Sequence, residues 1–119
     1  MIQIIKTKGR LQINMTAFPM GNDVCIILTG GDTPHLGALT AGSYCESLQT
    51  ITFYHHKENV ITEMFGNILR RAYKGNLAVC CGIHLDNITS QEIVNTVDLC
   101  REIAEKLSEL LREDDQTMR

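Results

Sequence analysis

The sequence has few aromatic residues and no long apolar run. Three Phe, three Tyr and no Trp among 119 residues leave few platforms on which a planar ligand can stack. No apolar run approaches the roughly 20 residues of a membrane helix, and the start, MIQIIKTKGR, has no apolar signal-peptide region ahead of its lysines. We therefore expect a cytoplasmic protein with no membrane partner.

An excess of positive charge is also lacking. Eleven Lys and Arg stand against 14 Asp and Glu, which gives a formal net charge of -3 and a pI near 5.7. Binding to nucleic acid depends on clustered positive charge. We therefore expect no nucleic-acid partner.

The cysteines form no recognisable redox or metal motif. They are an odd set of five without a C-x-x-C pair: Cys25, Cys45, Cys80, Cys81 and Cys100. Cys80 and Cys81 are adjacent, so on a strand their side chains point to opposite faces and cannot hold one metal ion together. We expect reduced, buried cysteines that act as small hydrophobic residues.

Length and composition indicate one globular domain. The chain is 44% hydrophobic and 21% charged, close to the average of folded proteins. We expect a single domain over residues 1–119, with the polar tail 113–119 frayed. Because the core of so short a chain is small, a homodimer or another homo-oligomer would usefully extend it.

The first half of the chain predicts strands. LQINMT from Leu11 alternates apolar and polar residues, VCIILT from Val24 is apolar throughout, and FPMGND between them predicts a turn. IQIIK before this hairpin, and LGALTAG and SLQTITFY after it, also indicate strands.

The second half predicts helix, strand, helix. Apolar residues recur at helical spacing from Val60, with Gly75 as the left-handed C-cap. NLAVCCGI predicts a buried strand, and Thr89 with Glu92 predicts a capping box that opens the second helix. The whole pattern predicts an α+β fold: an antiparallel meander followed by α-β-α, with the helices packed on one face of the sheet.

All four histidines lie at junctions between predicted elements, where functional side chains concentrate. His35 lies in the glycine-rich segment TGGDTPHLGALTAG, His55 and His56 lie in YHHKEN before the first helix, and His84 lies in GIHLDNIT before the second. These three segments form the candidate site.

The glycine-rich segment has two interpretations. Gly30 and Gly31 let a ligand approach the main chain, and successive amides near Asp32 can bind a phosphate. A plain turn formed by Asp32 and Pro34 explains the same residues, because the segment matches neither the P-loop nor the dinucleotide-binding motif.

The YHHKEN segment also has two interpretations. Lys57 can meet a phosphate, and Glu58 favours the positive end of the following helix. The alternative is a polar capping segment with Asn59 as the N-cap and solvated histidines.

In GIHLDNIT, His84 and Asp86 are two residues apart and share a face if the strand persists. Together they suit a divalent cation, and a histidine there can also hydrogen-bond a flavin ring. The alternative is that Asp86 and Asn87 form a turn and His84 fills space.

Taken together, GGDTPHLGA, HHKE before a helix and GIHLDNIT before the last helix resemble the prenylated-flavin chaperone family. This is the LpdD-like group associated with gallate decarboxylase, whose fold is related to proteasome assembly chaperones. The resemblance implies a non-catalytic accessory protein that binds prenylated FMN and assists its delivery to a UbiD-type aromatic acid decarboxylase. It implies that the cofactor is bound by the positions that match the three motifs: His35, His56, Lys57, Glu58, His84, Asp86 and Asn87.

Prenylated FMN would place particular demands on this site. It joins a phosphate and a polar ribityl chain to an apolar ring system, so its site needs amide or cationic donors beside an apolar wall. Gly30, Gly31 and Lys57 are the candidates for the phosphate, with or without a divalent cation such as Mn²⁺ or Mg²⁺ held by the histidines.

Two other functions fit the residues. One is a metal-dependent enzyme with His35, His56 and His84 as ligands and Asp86 or Glu58 as general base, although the segments lack the spacing of hydrolytic zinc motifs. The other is a purely structural assembly chaperone in which the motifs are turns.

Overall fold

The computed structural model describes residues 1–53 and 58–117, and for 114–117 it describes only the backbone. Six predicted strands and two predicted helices all appear at the expected places, and the α+β class is confirmed. In chain order the elements are β1 (Ile2–Lys8), β2 (Leu11–Met20), β3 (Asp23–Gly31), β4 (Ala38–Ser43), β5 (Gln49–Thr52), α1 (Asn59–Arg70), β6 (Asn76–His84) and α2 (Ser90–Thr117).

The strands form one sheet in the order β1-β2-β3-β6-β4-β5. β6 lies between β3 and β4, parallel to β3 and antiparallel to β4. The predicted antiparallel meander is therefore only partly right, because it holds within β1–β3 and within β4–β5 but not across the middle of the sheet. A strand with neighbours on both sides suits an apolar run such as NLAVCCGI, which has no alternation of polar residues.

The core lies between the sheet and both helices. Met15, Leu28 and Cys81 are register partners on three neighbouring strands, and all three are buried. Phe65 of α1 and Leu107 of α2 are fully buried in the same cluster. Each such side chain contributes roughly 1.5–3 kcal/mol on burial. The helices therefore pack on one face, as predicted.

Helix α1 differs from the prediction at both ends. It begins at Asn59 with Glu58 as the N-cap, one residue earlier than expected, and it ends at Arg70. Gly75 is not a left-handed cap, since its φ is not positive. It is instead required by close packing, because a Cβ there would lie 1.9 Å from the Asn22 carbonyl oxygen.

Helix α2 opens with the predicted capping box. The Glu92 amide donates to the Thr89 hydroxyl at 3.1 Å, and the Thr89 amide donates to the Glu92 carboxylate at 3.0 Å. The helix continues to Thr117, so it includes the backbone of 113–117, for which fraying is predicted. Within the described ranges no helix is both long and apolar enough to cross a membrane.

The five cysteines all lie in the described part of the chain, and all are free. Cys81 is buried in the core while Cys80 is only partly buried, as their opposite faces require. Burial raises the pKa of the Cys100 thiol to about 12 and raises those of Cys80 and Cys81 as well. Cys45 is exposed, so the prediction of burial is wrong for that residue.

Candidate functional site

The site is built where the connection between β3 and β4 crosses the C-terminal end of β6. Because β6 lies between these two strands, residues 32–37 must pass over it. A Cβ at Gly82 would lie 1.6 Å from the His35 carbonyl oxygen, and the Gly37 amide donates to the Cys81 carbonyl at 2.8 Å. The absence of a side chain at Gly82 therefore lets the loop rest directly on the strand and fixes His35 there.

Gly30 and Gly31 have a packing role of their own. Gly31 has φ +76°, and a Cβ there would lie 1.9 Å from the His84 carbonyl oxygen; at Gly30 a Cβ would lie 2.6 Å from the Gln12 carbonyl oxygen. The Asp32 amide donates to the His84 carbonyl at 2.6 Å, so this amide is engaged within the protein. The close approach of backbone segments therefore explains these glycines without a ligand.

His35 and Glu58 form the enclosed part of the site. His35 Nε2 lies 2.9 Å from Glu58 Oε1, and the two side chains are only 21% and 10% exposed. His35 Nδ1 lies 3.2 Å from the Thr33 carbonyl oxygen. The His35 ring is therefore held between the Thr33 carbonyl and the Glu58 carboxylate.

His84 and Asp86 form the open part. His84 Nε2 lies 3.1 Å from Asp86 Oδ1, with side chains 51% and 79% exposed. The rings of His35 and His84 meet edge to face with centroids 6.5 Å apart. The Asp86 amide donates to Asp32 Oδ2 at 3.2 Å, which ties the glycine-rich loop to the β6–α2 connection. The first and third predicted segments are thus brought together, and Glu58 joins them from the second.

Other predicted site residues are placed differently or not described. His55, His56 and Lys57 lie outside the described residues. Asn87 has φ 53° in the turn after β6, which matches the turn that the sequence allowed as an alternative.

The predicted metal set of His35, His56 and His84 gains no support. Within residues 1–53 and 58–113, whose side chains are described, no group of three or more His, Cys, Asp or Glu is arranged to hold a metal ion. The Nε2 atoms of His35 and His84 each face a carboxylate instead.

An apolar cavity lies beside the cluster and was not predicted from the sequence. It has a volume of about 330 Å³ and lies among the start of α1, the end of β6 and the start of α2. Its lining residues are Glu58, Val60, Ile61, Ile83, Ile88, Ile93, Thr96 and Val97. Ile93, in the first turn of α2, is 51% exposed. The sequence feature that indicates this cavity is a group of apolar residues near the start of α2 that the core does not need.

Arg10 was also missed. From the β1–β2 turn its guanidinium binds both carboxylate oxygens of Glu92, at 2.7 and 2.9 Å, and donates to the Asp86 carbonyl at 2.8 Å. It therefore fixes the connection that carries Asp86. These partners are 76 and 82 residues away in sequence, so no local pattern indicates them.

The contact between Arg10 and Glu92 predicts a pH dependence of stability. Hydrogen bonds from Arg10, and then from Thr89, lower the pKa of Glu92 from 4.5 to about 2. Because the folded-state pKa is depressed, the stabilisation is complete above pH 4.5 and is lost as the pH falls through about 2. In urea unfolding, Glu92→Gln should be less stable than the parent at neutral pH and equal to it near pH 2.

Glu109 provides the control for this measurement. Its carboxylate approaches Lys106 at 3.8 Å, with both side chains more than half exposed, so Glu109→Gln should change stability little at any pH. A Glu92→Gln deficit that persists undiminished near pH 2 would contradict the role given to its ionised carboxylate.

Comparison with known proteins identifies the family of this chain. Residues 7–112 match the family described as the prenylated flavin chaperone LpdD-like domain. Protein LpdD of Lactiplantibacillus plantarum is 32% identical over 93 residues, which cover 71% of this chain and 68% of that protein. A solved structure, a chaperone complex for yeast 20S proteasome assembly, is similar in fold alone: its TM-score is 0.57 at 10% identity, with 93% of this chain and 97% of that chain covered. The family match spans the loop of His35, the start of α1 at Glu58 and the end of β6 at His84. This chain therefore belongs to the prenylated flavin chaperone LpdD-like family.

Proposed function

We propose that this protein binds prenylated FMN at the cluster of His35, Glu58, His84 and Asp86, and delivers it to a UbiD-type aromatic acid decarboxylase without itself catalysing a reaction. Membership of a prenylated flavin chaperone family supports the choice of cargo. The observation that carries the location is the His35–Glu58 pair, because Glu58 also lines the apolar cavity. Polar donors beside an apolar wall are what a flavin needs.

The exposure of the cluster suits a carrier that must release its cargo. His84 and Asp86 are half-exposed and largely exposed, whereas His35 and Glu58 are mostly enclosed. A ligand can therefore contact the enclosed pair with one edge while the rest stays accessible to an acceptor enzyme. Binding of moderate affinity follows, since an accessible ligand leaves much of its surface in water.

The phosphate contacts in the proposal are those predicted from the sequence. Lys57 remains a predicted phosphate contact, and His56 remains a predicted contact of the cofactor. Gly30, Gly31 and Asp32 adjoin the cluster, although the Asp32 amide already donates to a carbonyl. Asn87 is kept as a residue that shapes the turn beside Asp86. A metal ion is not part of the proposal.

Location and assembly complete the proposal. Five free cysteines, four of them wholly or partly buried, suit the reducing conditions of the cytoplasm. A homodimer is proposed because the chain is short and its sheet leaves Ile5, Phe18, Ile27 and Ile51 at least 40% exposed.

Reconstitution of a decarboxylase tests the delivery step. Apo-decarboxylase is mixed with limiting prenylated FMN, made by a flavin prenyltransferase, in the presence or absence of this protein. We expect activity to appear severalfold faster with the protein present, and no decarboxylation by the protein alone. Equal activation rates with and without the protein would refute the proposed delivery.

A further inference from the structure

We propose that the apolar cavity among α1, β6 and α2 binds the isoprenoid-derived part of the cargo, and that it thereby distinguishes prenylated FMN from unmodified FMN. The inference rests on the proposed function, and it extends that function from binding to selectivity. The occupant is the branched aliphatic five-carbon unit that the flavin ring system carries.

The chemistry of the lining favours an aliphatic occupant. Of the eight lining residues in the described part of the chain, six are valine or isoleucine and none is aromatic. Branched aliphatic walls pack closely around a branched five-carbon unit but offer no flat surface for stacking a ring. The described lining therefore matches the group that separates the two flavins.

The size of the cavity is adequate. An apolar cavity of about 150 Å³ accommodates benzene, and a five-carbon unit is no larger than that. The cavity has a volume of about 330 Å³, so it has room for the isoprenoid unit and for the ring edge that carries it.

The rim of the cavity exposes apolar side chains that the core does not use. Val60 is 57% exposed, Ile93 51% and Ile88 39%. Burying one methylene changes affinity by about fourfold. Even partial burial of a five-carbon unit against these side chains therefore predicts a preference of about tenfold or more over FMN.

Glu58 fixes the orientation of the cargo. It lines the cavity, and its Oε1 lies 2.9 Å from His35 Nε2. A ligand whose polar edge meets His35 therefore has the cavity directly beside that edge. The isoprenoid unit would point towards Val97 and Ile88, while the exposed His84 side chain meets the outer part of the ring system.

Titrations of the purified protein with FMN and with prenylated FMN test this assignment. We expect the parent protein to bind prenylated FMN at least about tenfold more tightly than FMN. Val97→Phe fills the cavity and should reduce this preference to less than about threefold. Val94→Phe is the matched control, because Val94 is 52% exposed on the same helix and does not line the cavity, so the preference should be retained.

A second variant keeps the test valid if Val97→Phe does not fold, as judged by circular dichroism. Ile88 lies in the connection before α2 and is 39% exposed. Ile88→Ser makes the wall polar with little cost to the core and should also reduce the preference.

The outcomes separate the two proposals. Equal affinity of the parent for both flavins, or full preference in the folded Val97→Phe and Ile88→Ser variants, overturns the cavity assignment and leaves cofactor binding intact. If the parent binds neither flavin, the proposed function and this inference fail together.

Discussion

Replacing His35 by alanine is expected to weaken the binding of prenylated FMN by about tenfold or more and to lower the free energy of unfolding by about 1–3 kcal/mol. The loss of affinity follows from removing a donor at the point where the polar cluster meets the cavity. The loss of stability follows because the carboxylate of Glu58, only 10% exposed, loses its contact with the imidazole at 2.9 Å. Isothermal titration and urea unfolding measure the two effects separately.

Two further variants separate the structural role of His35 from its binding role. Adding Glu58→Gln to His35→Ala removes the enclosed carboxylate and should recover part of the stability but not the affinity. His84→Ala removes a half-exposed ring, so it should weaken binding while changing stability by less than about 0.5 kcal/mol. Unchanged binding in both His35→Ala and His84→Ala would contradict the location of the site.

Replacing Gly31 by alanine is expected to destabilise the fold by about 3 kcal/mol or more. Gly31 has φ +76°, and a Cβ would lie 1.9 Å from the His84 carbonyl oxygen. The substitution therefore adds a backbone collision to the cost of a left-handed conformation. Because this collision pushes β3 away from the end of β6, the affinity for prenylated FMN should fall as well.

Gly21 is the matched control for this substitution. It has φ +65°, and a Cβ there would meet nothing within 4 Å. Gly21→Ala should therefore cost only about 1–2 kcal/mol, which is the cost of the left-handed conformation alone. Similar losses of stability in the two variants, measured by urea unfolding, would show that the packing of Gly31 on His84 contributes little.

Local patterns predicted most of the fold. The alternation in LQINMT, the capping box of Thr89 and Glu92 and the helical spacing from Val60 each depend on residues that are close in sequence. The position of β6 does not, because its pairing joins Val24 to Leu77 across the whole middle of the chain. A rule that pairs consecutive strands therefore gave the meander and missed the inserted parallel strand.

The site, too, depends partly on local patterns and partly on contacts between residues that are distant in sequence. The glycine-rich and GIHLDNIT segments were predicted to act together, and the structure joins them through His35, His84 and the contact between Asp86 and Asp32. Glu58 was predicted near the helix start, but its pairing with His35 depends on the path of the loop over Gly82. The cavity and Arg10 depend on contacts between distant elements, so a linear sequence gives little indication of either.

A crystal structure of the protein with prenylated FMN tests the central claim most directly. We expect a polar atom of the cofactor to lie within hydrogen-bond distance of His35 or His84, with the isoprenoid-derived carbons among Ile88, Ile93 and Val97. Cofactor bound elsewhere, for example on the open sheet face near Phe18 and Ile27, would contradict this location.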